Sequence, residues 1–164
     1  MAIEKGARVP DGTLVKVTGD GPDKVSAAEF FGGRTVVLFG VPGAFTPTCH
    51  NKHMPPFVAK SEELKAKGVA EIAAISVNDH FVMDEWRKSS DTMGRVTFLA
   101  DGNGDYTRAL GMELDATGAG LGMRSKRYVA LVEDGTVTFL GMEDSPGDVT
   151  ESGVDTVLAA LDGK

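Results

Sequence analysis

The chain has 164 residues, with 24 acidic against 17 basic side chains and a net charge of −7; that is length enough for one domain with its own core, over 1–164, and a charge that repels phosphate backbones. No run of Lys or Arg makes a basic patch, and no apolar run reaches the roughly 20 residues of a membrane helix. Nucleic acid and bilayer are therefore excluded as partners. Residues 1–10 lack the basic-then-apolar order of a secretory signal, and the expectation is a soluble, cytoplasmic protein.

In chain order, 14–18 alternates apolar and polar ahead of Gly19-Asp20-Gly21-Pro22, which predicts a short strand entering a turn. Ser26-Ala27-Ala28-Glu29 has capping-box spacing for one or two helical turns, stopped by Gly32-Gly33. The β-branched and apolar run 35–39 reads as a buried strand ending at Gly40. Gly and Pro at 40, 42, 43 and 47 then punctuate a loop, after which Thr46 or Thr48 can cap a helix beginning at or beside Cys49. Pro55-Pro56 supplies no N–H donors and should kink or interrupt that helix before Phe57, Val58 and Leu64 resume the pattern and Gly68 ends it. A second core strand is expected over 71–77, and Asp79 caps a helix over 81–89 whose Val82 and Trp86 share a face. A third strand covers 96–100, a short helix 105–110 closes at Gly111, and 116–122 is a glycine-rich loop. Runs 127–132 and 136–140 are joined through Asp134-Gly135, a hairpin signal, and Val154, Val157, Leu158 and Leu161 form the stripe of a last amphipathic helix. Strand–helix alternation followed by a hairpin and a helix predicts a mixed α/β sheet with helices on both faces.

Cys49 is the only cysteine, so no internal disulfide exists, and its thiol is either a small core hydrophobe or a reagent. At the start of a helix, after a Pro/Gly loop, free backbone N–H groups and the macrodipole favour a thiolate and so the reagent, although a lone cysteine is more often a buried hydrophobe. Pro42, Thr46 and Cys49 stand as Pro-x-x-x-Thr-x-x-Cys, and the fuller string Pro-Gly-Ala-Phe-Thr-Pro-Thr-Cys resembles the active-site signature of the peroxiredoxins, in particular the atypical type II, Prx5-like subfamily. The likeness continues in His53, in Val77-Asn78-Asp79, in Phe81-Val82-Met83 and in Gly122-Met123-Arg124.

The resemblance implies a thioredoxin-like fold and a thiol peroxidase with no cofactor and no metal. In such a site Cys49 attacks the peroxide and becomes a sulfenic acid. Thr46 hydrogen-bonds the peroxide and Pro42 shields the sulfur. An arginine from far along the chain completes the site, with Arg124 the best match and Arg127 the fallback. The resemblance also implies a homodimer paired through the active-site side. Some members of the subfamily carry a second cysteine near the segment matching 149–152, where this chain reads Val-Thr-Glu-Ser. The oxidised sulfur must then be reduced by an external thiol, glutathione with glutaredoxin or thioredoxin.

Other readings stand beside this one. Cys49, His50 and His53 are residue types that ligate zinc, but there is no second cysteine and neighbours at 49 and 50 point apart. His50 sits where relatives usually carry a small residue. A Cys–His hydrolase would use His53 or His80 as base, without support from spacing. The run 101–105 opens like a calcium loop, but Tyr106 and Met112 stand where Gly and the bidentate Glu belong, leaving a turn and a helix cap. Gly118, Gly120 and Gly122 do not make a dinucleotide fingerprint. Phe81, Val82, Trp86 and the seven methionines are expected in the core. A peroxide-sensing regulator with little turnover is the alternative function, and a non-catalytic binding module the third.

Overall fold

In the computed structural model, which describes residues 2–163, the β-rich runs of the sequence come together in one seven-stranded mixed sheet. Its strands are β1 (Thr13–Thr18), β2 (Gly21–Ser26), β3 (Thr35–Val41), β4 (Glu71–Ser76), β5 (Thr97–Ala100), β8 (Tyr128–Glu133) and β9 (Thr136–Met142), in the order β2-β1-β5-β4-β3-β8-β9. The central strands β3, β4 and β5 run parallel, and the pairs β1/β2, β1/β5, β3/β8 and β8/β9 are antiparallel. A separate two-stranded ribbon, β6 (Glu113–Asp115) with β7 (Met123–Ser125), encloses the glycine-rich loop. This is the expected thioredoxin-like, mixed architecture. The ribbon and β2 are additions to it, since 21–26 reads in sequence as a turn followed by a cap.

Strand alternation divides the core in two. Val37, Phe39 and Val41 of β3, with Ala74, Val129 and Leu131, point to one face. There they pack under α2 (Met54–Ala59), α3 (Ser61–Ala66), α4 (His80–Ser89) and α6 (Val154–Asp162) through Met54, Phe57, Leu64, Met83, Trp86, Val154, Val157 and Leu158. Val36, Leu38, Ala73, Ile75, Ala130 and Val132 point to the other face, against α1 (Ala27–Phe31) and α5 (Asp105–Ala109) through Phe30, Phe31 and Tyr106. The caps are those the sequence names: the Ser26 hydroxyl accepts from Glu29 N–H at 3.1 Å and the Asp79 carboxylate from Val82 N–H at 2.9 Å. Asp101 accepts from the N–H groups of Tyr106 and Thr107 at 3.2 and 2.8 Å, the cap role rather than the calcium one.

One expectation needs correcting. Trp86, Met54, Met83 and Met112 are buried, but Phe81 is 73% exposed, Val82 36%, Met93 69%, Met123 49% and Met142 37%; Met1 lies outside the described residues. In α4 the buried stripe is Met83–Trp86, spaced i, i+3, rather than Val82–Trp86 at i, i+4, and both spacings occur on a helix. Two glycines allow close approaches near the site. A Cβ on Gly40 would stand 2.2 Å from the Tyr128 ring, and one on Gly141 would stand 1.9 Å from the Glu151 carbonyl oxygen, so β9 lets the segment 150–152 lie directly on it.

Candidate active site

The site lies at the C-terminal end of β3. Pro42 and Gly43 are buried, Phe45 takes a left-handed φ of 64°, and Pro47 opens a helical run with Thr46 just before it. The Thr46 carbonyl accepts the His50 N–H at 2.9 Å, and its hydroxyl donates to the Gly43 carbonyl at 2.7 Å, so the side chain ties the loop together rather than capping an amide. Asn78, at the end of β4, anchors the same loop by accepting from the Ala44 N–H at 3.0 Å. The interruption expected from Pro55-Pro56 takes the form of a π turn at Cys49–His53, in which the Met54 N–H reaches back to the Cys49 carbonyl. The prolines cannot donate to the carbonyls four residues before them, and the ladder widens just ahead of them.

Cys49 and His53, four residues apart, both face inward and are fully buried. Between them stands Arg127, 2% exposed. Its Nη2 donates to Cys49 Sγ at 2.9 Å, its Nη1 to His53 Nδ1 at 2.8 Å, and its Nε to the Pro146 carbonyl at 2.8 Å. A guanidinium only donates, so His53 Nδ1 must be the bare acceptor nitrogen and the ring proton must sit on Nε2, where it is given to the Ser152 carbonyl at 2.8 Å. The imidazole is thus held neutral. Burial first, and then the Arg127 charge, push its pKa down to about 4.

Behind this pair lies a second buried charge. Glu143 accepts from the Thr150 N–H and hydroxyl at 2.9 Å each and from the Ser152 N–H and hydroxyl at 2.5 and 2.6 Å. Burial opposes its ionised form, but the donors of Ser152 and then Thr150 outweigh that and hold its pKa below the usual value. The carboxylate thereby fixes the segment whose Ser152 carbonyl orients His53, and His53 in turn orients Arg127. Nothing in the sequence spacing points to Glu143 or Ser152.

Of the two candidate arginines, it is Arg127 that reaches the sulfur. Arg124, half-buried on β7, donates from Nε to the Leu121 carbonyl at 2.9 Å, and its Nη1 lies 3.1 Å from where a Cβ on Gly43 would stand. It flanks the loop from outside. His50 turns away from the cluster, and its Nδ1 accepts the indole N–H of Trp86 at 3.1 Å. Cys49, His50 and His53 therefore do not converge as ligands: both nitrogens of His53 are engaged, and among the described residues no group of three or more His, Cys, Asp or Glu side chains could hold a metal ion. The sulfur therefore lies in the core against a permanent cation, at the opening of a helix.

Comparison with known proteins gives a consistent picture. The redoxin family model matches residues 4–158. The chain is 50% identical over 162 residues to peroxiredoxin-2C of Oryza sativa subsp. japonica, covering 97% of this chain and 98% of that protein. It is 49% identical over 160 residues to peroxiredoxin-2B of Arabidopsis thaliana, with 97% and 98% covered. Among solved structures, reduced Prx3 of Vibrio vulnificus in complex with H2O2 superposes with a TM-score of 0.90 at 43% identity, covering 97% of this chain and 99% of that one. Among the described residues, no helix is long and apolar enough to cross a membrane.

Proposed function

The chain belongs to the redoxin family and is a peroxiredoxin of the type II, Prx5-like kind, a thiol-dependent peroxidase, and on that premise we propose that Cys49 is the peroxide-attacking nucleophile, with Arg127, Thr46 and Pro42 completing the site. The thiolate sulfur attacks one peroxide oxygen, the O–O bond breaks, Cys49 becomes a sulfenic acid, and the other oxygen leaves as hydroxide or alkoxide and takes up a proton. The observation that carries this reading is the 2.9 Å contact between Arg127 Nη2 and Cys49 Sγ inside the core. A guanidinium there holds the sulfur and offers forked donors to the peroxide oxygens as charge moves onto them. Thr46 stands one helical turn before Cys49 and Pro42 at the base of the loop; Arg124 acts on the outer side of that loop.

With Cys49 the only cysteine, the sulfenic acid is reduced by an external thiol, for which glutathione with glutaredoxin, or thioredoxin, are the proposed sources. A homodimer is proposed on the active-site side, supported by the exposed Phe45, Leu121 and Met123. Phe45→Glu should then shift the sedimentation coefficient to that of a monomer, and an unchanged value would remove the dimer from the reading. A free, unpaired thiol fits a reducing compartment such as the cytoplasm. The complete burial of Cys49 favours one second reading, a peroxide sensor that oxidises quickly and is reduced slowly.

The test is rapid mixing of reduced protein with one equivalent of H2O2 and counting of the remaining thiol. Oxidation orders of magnitude faster than for free cysteine, abolished in Cys49→Ser, is expected. A rate no faster than that of a free thiol would sink the assignment, and fast oxidation without thiol-driven turnover would select the sensor.

A further inference from the structure

Open α/β sheets bind ligands in the crevice beyond the C-terminal ends of their parallel strands. Here the Cys49 loop follows β3. Beside it, beyond β4 and β5, lies a cavity of about 140 Å³ lined by Asn103, Thr107, Arg108, Glu113 and Arg124 among others. Its two cations are placed by the fold. Arg124 is steered by its bond to the Leu121 carbonyl, and its guanidinium lies between this cavity and the wall of the active-site loop at Gly43 and Thr46. Arg108 gives Nη2 to Asp105 at 2.6 Å, and its Nη1 lies 3.2 Å from where a Cβ on Gly104 would stand. Gly104 has a φ of +73°, so a side chain there would be strained as well as crowded. Thr107 is 2% exposed, and its hydroxyl has no hydrogen-bond partner among the described residues. In a chain of net charge −7, two guanidinium groups line one small opening, Arg108 paired to Asp105 and Arg124 beside the active-site loop, together with the Glu113 carboxylate.

We propose that this cavity is a carboxylate-binding subsite for the reductant, which is a small acidic thiol. The proposal rests on Cys49 being the peroxide-reactive sulfur. Arginine forks match carboxylate geometry in two-point contacts. At about 30 Å³ per water the cavity has the room of roughly five waters, enough for a carboxylate and its neighbouring carbon and amine but not for a segment of a folded protein. With its carboxylate held there, the thiol sulfur attacks the Cys49 sulfenic sulfur. The S–O bond breaks, the hydroxyl leaves as water with the proton of the thiol, and a mixed disulfide forms. A second thiol displaces Cys49 from it, so two thiols are oxidised to a disulfide and the sulfenic acid is reduced to a thiol.

The experiment separates the two half-reactions. Protein is oxidised with one equivalent of H2O2 and the loss of thiol counted; absence of oxidation would overturn the peroxidase reading and the subsite with it. Oxidised protein is then reduced in single turnovers by glutathione, by glutathione dimethyl ester and by 2-mercaptoethanol. Arg108→Gln should slow glutathione by about ten- to a hundredfold, as loss of a charge-assisted hydrogen bond does, and leave the other two thiols and H2O2 oxidation unchanged. Arg108→Glu should slow glutathione further. Equal slowing of all three thiols, or no slowing of glutathione, would overturn the proposal. Slower oxidation by a carboxylate-bearing hydroperoxide, with glutathione reduction unaffected, would assign the carboxylate to the peroxide and overturn the thiol as its source.

Discussion

Arg124 and Arg127 are three residues apart and enter opposite environments. Arg127 immediately precedes β8 of the central sheet and is 2% exposed, with donors on Cys49, His53 and Pro146. Arg124 lies on the outer ribbon, half-buried, with Leu121 as its bonded partner and a small cavity beside it. The difference teaches that a buried cation needs its surroundings built around it, an anion or acceptor for each face, whereas a flanking cation keeps donors available for something that comes and goes.

The sharpest way to break this comparison is at Arg127. Arg127→Gln should lower the rate constant of Cys49 with H2O2 by about 10²–10³-fold, the scale seen when a donor at the developing charge is removed; a loss under tenfold would deny Arg127 its role. Acid probes the same cluster. The unfolded chain takes up a proton on His53 from its ordinary pKa of 6.5 downward, while the folded protein refuses it until about 4. The unfolded state therefore binds more protons in that window, and stability falls as pH drops from about 6.5 to about 4, by about 3 kcal/mol in total. Glu143, with its folded pKa depressed, adds a further loss as pH falls below its unfolded value. Denaturant unfolding across that range should show the His53 part vanish in His53→Gln, and an unchanged slope would mean that the imidazole is not the group titrating.

Arg124→Ala should slow H2O2 oxidation by less than about tenfold, because its guanidinium lies outside the loop; an effect matching that of Arg127→Gln would reverse the ranking. The smallest effect is expected at Phe81, whose ring is 73% exposed. Phe81→Ser should alter the unfolding free energy by about 0.5 kcal/mol or less, against about 3–5 kcal/mol for Trp86→Ala. A larger change at Phe81 would mark it as a packed surface.

Much of this architecture is legible in the residues alone. β3, the β8–β9 hairpin and the stripe of α6 follow from β-branched runs, Asp134-Gly135 and the spacing of Val154, Val157, Leu158 and Leu161, all local signals. Cys49, Thr46 and Pro42 are found together because one loop carries them. The rest depends on distance in sequence. Whether residue 124 or 127 meets residue 49 is decided by where the β6–β7 ribbon ends and β8 enters the sheet, and no short-range pattern encodes that. Glu143 and Ser152 join the cluster only through the close approach at Gly141. The exposure of Phe81 and Val82 was hidden by a helix in which two apolar stripes are equally well spaced.

The hydrogen bond from the Trp86 indole to His50 has an optical consequence. Trp86 is the only tryptophan in the chain, and its partner is covalently joined to Cys49, so the lone indole chromophore is wired to the first helical turn. Any displacement of that turn as the sulfur gains an oxygen or a thiol changes the polarity and hydrogen bonding of the excited indole. The molecule thus carries a built-in emission reporter, and each stage of its redox cycle should have its own intensity and wavelength without an added label.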